Sequence, residues 1–450
     1  MTTVEDLPLF LRGNGAPVTE ELTLTNLAVT GSIPVELDGR YLRNGANPFT
    51  GMADHPFLGD GMIHGVRVRD GKAEWYRNRY VKTPFLVDVD RAVIDATQSL
   101  TDMTSSKANT NVIGHSGRIM ALEEGHFPYV LDGNLETVGP TDFAGRLAGP
   151  FTAHPKICPA TGELLAFGYS FLGPHLTYHR ISADGQLVQS EQITVGGPTM
   201  MHDFNVTRNH IIIMDLPAVF DLDLAIRGEM PITWKNDYPA RLGVMPRDGN
   251  DASVKWFDIN PCYVFHPMNA YESGDLIILD VARLSHIWRD GAMDFPAPAL
   301  YRWTIDTVKG TVREEQIDDL AAEFPRVADS VVGQAHRYGY MMANANEAAY
   351  SNPMGTSGAI VKYDRTSGAR TQINLGYGRI PGESVFVPAA NSAAEDDGYL
   401  MTYVYDASTD TSDFAIFDAA TMADEPVALV HLPRVPFGFH GNWVESSVAD

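Results

Sequence analysis

The feature that most constrains this chain is its period. Apolar and polar residues alternate at every second position along much of its 450 residues, and Asp-Gly pairs punctuate the alternation. Residues 62–81 alternate on both sides of Asp70-Gly71, and residues 175–195 do so around Asp184-Gly185. An Asp-Gly pair supplies the positive φ angles of a tight turn, so both stretches predict hairpins. Residues 399–406 and 413–418 predict a third, and 162–171, 210–216, 275–283 and 359–365 read as further strands. Helical patterns are few and short, the best of them at 89–100 and 318–324. So many short antiparallel strands must hide their sheet edges. A sandwich of this length would be oversized, whereas a closed radial array scales with the chain. The expectation is an all-β fold of radial type. No linker or charge block divides residues 1–450, so one continuous domain is expected.

Composition narrows the function. Acidic residues number 57 against 33 basic, a formal charge of −24. Such a chain is repelled by phosphate backbones, which argues against a nucleic-acid partner. Two cysteines, Cys158 and Cys262, exclude a disulfide framework and a cysteine-rich zinc site. The opening MTTVEDLPLF has no basic stretch before an apolar one, and no apolar run reaches membrane-spanning length. A cytoplasmic protein is expected. There is no G-x-S-x-G and no P-loop, and the glycine-rich GDGMIHG at 59–65 opens a strand-like run rather than a helix. The pair Glu123-Glu124 offers a glycosidase only a weak foothold.

The informative residues are four histidines: His154 in FTAHPK, His202 in TMMHDF, His266 in YVFHPMNAYE and His440 in FGFHGNW. Each follows an apolar or small residue, a context that suits an imidazole at the end of a strand. None is paired at helical spacing, so a shared site must be assembled from distant strands. A single histidine of this kind is more often a satisfied core residue than a ligand. Four together put a metal site on an equal footing with that reading. Four neutral nitrogen donors suit iron, copper, zinc or nickel, and carboxylates are then expected behind the rings, fixing their tautomers.

Further segments carry a resemblance. RYLRNGANPFTG (40–51), HPFLGDGMIHG (55–65), KANTNV (107–112), ALEEGHFPYVLD (121–132), EFPRV with GQAHRYGY (323–340), GESVFVP (382–388) and the four histidine segments are similar to the carotenoid cleavage oxygenases, from about residue 20 to the C-terminus. The resemblance implies a seven-bladed β-propeller, capped by loops and short helices over its iron-bearing face. It implies a non-haem Fe(II) held by His154, His202, His266 and His440, with Glu124, Glu323 and Glu383 behind three of those rings. It also implies O2-dependent cleavage of a conjugated C=C bond into two carbonyls, without flavin or nicotinamide.

The family divides by substrate. Stilbene-cleaving members carry a lysine just before the first of the three glutamates and a tyrosine before the ANTNV segment. Here Glu123 stands at the first position, and residues 89–106 contain no tyrosine. Phe57 matches an aromatic that lines the stilbene site. The expected substrate is therefore a carotenoid or apocarotenoid, with a stilbene or phenylpropanoid alkene such as isoeugenol as the alternative. A non-catalytic polyene-binding propeller is a further alternative. In segment 220–247, Leu222, Leu224, Ile226, Met230, Ile232 and Trp234 are candidates for an apolar surface whose contact with a membrane would be peripheral.

Overall fold

The computed structural model describes residues 7–53, 55–87, 101–227, 230–289, 295–344 and 357–449. Among them, seven antiparallel sheets of four or more strands follow one another along the chain, the seven blades of a β-propeller. By contacts the chain divides into two compact units, residues 1–144 with 340–450, and residues 145–339.

The first unit is tied together by its own ends. The strand Gly441–Glu445 pairs antiparallel with Gly39–Ala46, from Gly39 opposite Glu445 to Arg43 opposite Gly441. Gly39–Ala46 then continues into Gly61–Arg69 and Lys72–Tyr80. A second such closure pairs Val29–Gly31 with Ala428–Pro433. The hairpin predicted over 62–81 turns at Asp70 and Gly71, with φ of 50° and 69°. Both values lie where a two-residue turn matches the twist of its strands. The hairpin of Gly398–Asp406 and Thr411–Asp418 is also present.

Among the described residues, the second unit holds three four-stranded sheets and one two-stranded sheet, Ala218–Phe220 with Ile232–Trp234; the four-stranded ones carry His154, His202 and His266. Their leading strands are Lys156–Ile157, Asn205–Val206 and Tyr263–Ser273, each at one edge of its sheet. The 175–195 hairpin is formed by Leu176–Ile181 and Leu187–Gln192, with an irregularity at Arg180/Ile181. The core of this unit gathers Trp288, Trp303, Tyr263, Leu279 and Ile305, all nearly without solvent contact. Each such side chain contributes about 1.5–3 kcal/mol by leaving water.

Two expectations change. Residues 318–324 are not helical; Ala322–Arg326 is a strand. Pro325 bars the preceding Phe324 from right-handed helical angles, and Phe324 has φ +52°. That local constraint outweighs the helical propensity of DDLAA. In segment 220–247, Ile232 and Trp234 lie in the core on the strand Ile232–Trp234, so they belong to no outward patch. Leu222 and Ile226 are exposed, on the short helix Leu222–Ile226 capped by Asp221. The helical pattern at 89–100 lies outside the described residues. Among the described residues, no helix is long and apolar enough to cross a membrane.

Candidate metal centre

Each of the four histidines lies on or just before an edge strand of its sheet. His154 stands just before Lys156–Ile157, His202 before Asn205–Val206, and His440 immediately before Gly441–Glu445. His266 lies inside Tyr263–Ser273, where the ladder slips at Val264/Pro267. In each case the strand is an edge strand of its sheet. A residue that enters such a strand is released from the ladder, so its side chain is free to turn toward a ligand.

In the second unit the rings meet through their far nitrogens. His154 Nε2 lies 3.0 Å from His202 Nε2, which lies 3.1 Å from His266 Nε2. Phe265 stands edge-on to His202 at 5.2 Å, and Phe324 stacks on His266 at 5.2 Å and 22°. Among the described residues, His154, His202, His266 and His440 form a group whose candidate ligand nitrogens all lie within 4.8 Å of one another.

Carboxylates hold two of the rings from behind. Glu323 Oε2 lies 2.8 Å from His266 Nδ1, and Glu383 Oε1 lies 3.1 Å from His440 Nδ1. Both glutamates are 3% exposed. An ionised carboxylate only accepts, so each of these Nδ1 atoms carries the proton and each Nε2 presents a lone pair. Glu323 is aimed by its neighbour: Phe324, in its left-handed conformation, donates its amide to the same Oε2. Glu383 uses its second oxygen to accept the Gly441 amide at 2.9 Å.

His440 is fixed by backbone as well. Its carbonyl accepts from Asn44 N at 2.9 Å, its amide donates to Thr110 O at 3.1 Å, and Phe439 N donates to Asn44 O at 2.9 Å. Gly438 lets Arg43 pass beneath this loop; a Cβ there would sit 2.6 Å from the guanidinium. Arg43, itself buried, donates to Pro436 O at 2.5 Å. The RNG of 43–45 is thus a mould for the loop that carries His440.

Glu124 is half-buried, two residues beyond the strand Arg118–Leu122. Its neighbour Glu123 does different work. Its carboxylate accepts from Ser106 Oγ at 3.0 Å, Lys107 N at 2.8 Å and Gly125 N at 2.7 Å, and pairs with His126 Nδ1 at 2.8 Å. Burial alone would raise this carboxyl, but His126 and the two amides bring it down to about 2. Phe57 lies edge-on to Phe439, the residue before His440, at 5.8 Å.

Sequence reasoning misses Asp203. It is buried, 3.8 Å from His154 Nδ1, and bonded by Lys156 Nζ at 2.8 Å. Burial raises its carboxyl and Lys156 opposes that rise. The signal was an acid directly after one histidine and a lysine two residues after another.

The donor set fits a metal ion. Two nitrogens bound at about 2.1 Å and at right angles stand roughly 3.0 Å apart, close to the spacings seen here. His266, with its proton committed to Glu323, turns an Nε2 lone pair toward His202 Nε2, and a His202 that carries its own proton on Nδ1 meets it with another. A cation between the rings turns that repulsion into binding.

Residues 15–445 match the family described as retinal pigment epithelial membrane protein. A carotenoid cleavage oxygenase of Mycobacterium tuberculosis is 41% identical, over 97% of this chain and 98% of its own length. The chain belongs to the carotenoid cleavage oxygenase family. Within that family it is 35% identical to a carotenoid 9,10(9',10')-cleavage dioxygenase of Arabidopsis thaliana, over 97% of this chain and 90% of the other. The lignostilbene dioxygenase of Pseudomonas brassicacearum superposes with a TM-score of 0.86 at 27% identity, covering 98% and 99% of the two chains. A cobalt-substituted Synechocystis homologue superposes with a TM-score of 0.84 at 27% identity, covering 96% of this chain and 97% of the other.

Proposed function

We propose that this chain is an Fe(II)-dependent oxygenase that uses O2 to cleave a C=C bond in a carotenoid or apocarotenoid, giving two carbonyl products. The observation that carries the reading is the group of four imidazoles, two of them seated on buried glutamates, in a chain 41% identical to a carotenoid cleavage oxygenase. His154, His202, His266 and His440 are the proposed ligands. Glu323 and Glu383 are proposed to hold the Nδ1 protons of His266 and His440, with Glu124 as the third carboxylate behind the rings. Bound Fe(II) would supply the O2-binding and electron-donating chemistry that splits the alkene, both oxygen atoms being available for the two carbonyls.

The chain's own residues supply the rest. With Nδ1–H committed to a carboxylate, His266 and His440 keep their lone pairs turned to the shared centre and cannot rotate away. Phe265 stands edge-on to His202 and Phe324 stacks on His266, so apolar rings border the centre. Position, not acid–base chemistry, then selects the bond that is cut.

The alternative substrate is a stilbene or phenylpropanoid alkene. The likeness to the lignostilbene dioxygenase and the place of Phe57 beside Phe439 favour it. Glu123 weighs against it. Its carboxylate is fully occupied by local donors, so this position offers no cation to a phenolate.

Protein loaded with Fe(II) under argon and then given air and a panel of carotenoids, apocarotenals, resveratrol and isoeugenol separates these readings by mass spectrometry. Aldehydes from the polyenes are expected. Absence of any cleaved product, or turnover that survives His202→Ala, overturns the oxygenase reading.

A further inference from the structure

We propose that His55 is a substrate-binding residue, whose Nε2–H donates to an oxygen atom carried by the conjugated substrate. The inference rests on the oxygenase reading above and deepens it: the substrate is an oxygenated alkene, bearing a hydroxyl, carbonyl or ether oxygen, rather than a pure hydrocarbon.

His55 is 8% exposed. Its Nδ1 accepts from the Phe57 amide at 3.3 Å, which leaves the ring proton on Nε2. That Nε2 is buried and, among the described residues, meets no hydrogen-bond partner. Burial also lowers the ring's pKa, so it stays neutral near pH 7. A buried donor left without an acceptor costs stability, and native folds seldom tolerate one without a use.

The surroundings say what the use is. The His55 ring stands edge-on to Phe57 at 4.9 Å, and Phe57 stands edge-on to Phe439 at 5.8 Å. Phe439 is bonded to His440 in the chain. His55 therefore stands one ring beyond a pair of aromatic rings that leads from a proposed ligand of the metal. The same loop turns Phe49, Met52, Phe57 and Leu58 partly outward, an apolar landing for a polyene. A conjugated chain lying along Phe57 and Phe439 would bring an oxygen at its far end to His55, where a hydrocarbon end would leave the donor unmet. A site built to meet such an oxygen rejects the analogue lacking it.

The test compares substrate pairs differing by one oxygen, 4-hydroxystilbene with trans-stilbene and zeaxanthin with β-carotene, in wild type, His55→Phe and His55→Gln. Binding is read by tryptophan fluorescence on Fe(II)-loaded protein under argon, and turnover in air. For at least one pair, His55→Phe is expected to weaken binding of the oxygenated member about 10-fold or more and to leave its partner within about twofold, with His55→Gln restoring most of the loss. The melting temperature of His55→Phe should hold or rise, since an unmet donor is gone. Equal weakening of both members, no weakening, or a wild type that binds all four ligands alike or none of them overturns the assignment. Binding that follows this pattern without any cleavage in air would instead sink the oxygenase reading and leave His55 in place.

Discussion

Two glutamate–histidine pairs in this molecule are nearly identical when taken alone. Glu123 meets His126 Nδ1 at 2.8 Å, and Glu323 meets His266 Nδ1 at 2.8 Å. Their settings separate them. Glu123 also gathers a hydroxyl and two backbone amides, and so ties residues 106–107 to the turn at 125–126. Glu323 takes one neighbouring amide, and its histidine points the other nitrogen at His202. A buried carboxylate–imidazole pair is thus not a functional signal in itself. What the far nitrogen faces decides whether the pair serves the fold or a metal.

The strongest way to break this contrast is to remove a ring on each side. His202→Ala should abolish turnover and lower iron content per chain, by more than the roughly 10–100-fold expected for partners behind the ligands. His126→Ala should leave iron content unchanged and lower stability by about 1–3 kcal/mol, read by urea unfolding. If both variants lose iron equally, the two pairs are not different in kind.

Removing the carboxylates sharpens it. Glu323→Gln should weaken iron binding about 10–100-fold, because the amide no longer fixes which nitrogen of His266 bears the proton. Glu123→Gln should leave iron affinity within about twofold and cost about 1–3 kcal/mol of stability. Competition with a calibrated chelator under argon measures the first, and urea unfolding the second.

The pH dependence tests the first pair. Glu123 sits at about 2 in the folded protein against an ordinary value of 4.5. A lowered folded value means stability that is complete above about 4.5 and drains away as pH falls toward 2. Urea midpoints taken from pH 5 to pH 2.5 should fall less steeply in Glu123→Gln than in wild type. Parallel slopes would contradict the assignment.

The smallest expected effect is at Phe57. Phe57→Leu should alter the ratio of kcat/KM between polyene and stilbene substrates and move stability by less than about 1 kcal/mol, since the ring is partly exposed.

Much of this was legible in the sequence because its signals are local. Asp70-Gly71 announces a turn whatever surrounds it, and the alternation on each side assigns the strands. The four histidines stand out because each follows an apolar or small residue. Segment 318–324 misleads because helical propensity is summed along the chain, whereas Pro325 acts on one backbone angle at Phe324. Ile232 and Trp234 read as surface candidates since periodicity cannot say which face of a short strand meets a neighbouring core. The seat that Arg43, Asn44 and Thr110 make for His440 depends on contacts between remote segments, which no spacing along the chain encodes, whereas Asp203 was marked only by its place directly after a histidine.

The most direct measurement is X-ray absorption at the iron edge on protein titrated with Fe(II) under argon, alongside metal analysis. About one iron per chain, coordinated by four imidazole nitrogens, is expected, with His440→Ala reducing that shell to three. No bound iron, or a shell with fewer imidazoles that His440→Ala leaves unchanged, would contradict the convergence of these four rings on one ion.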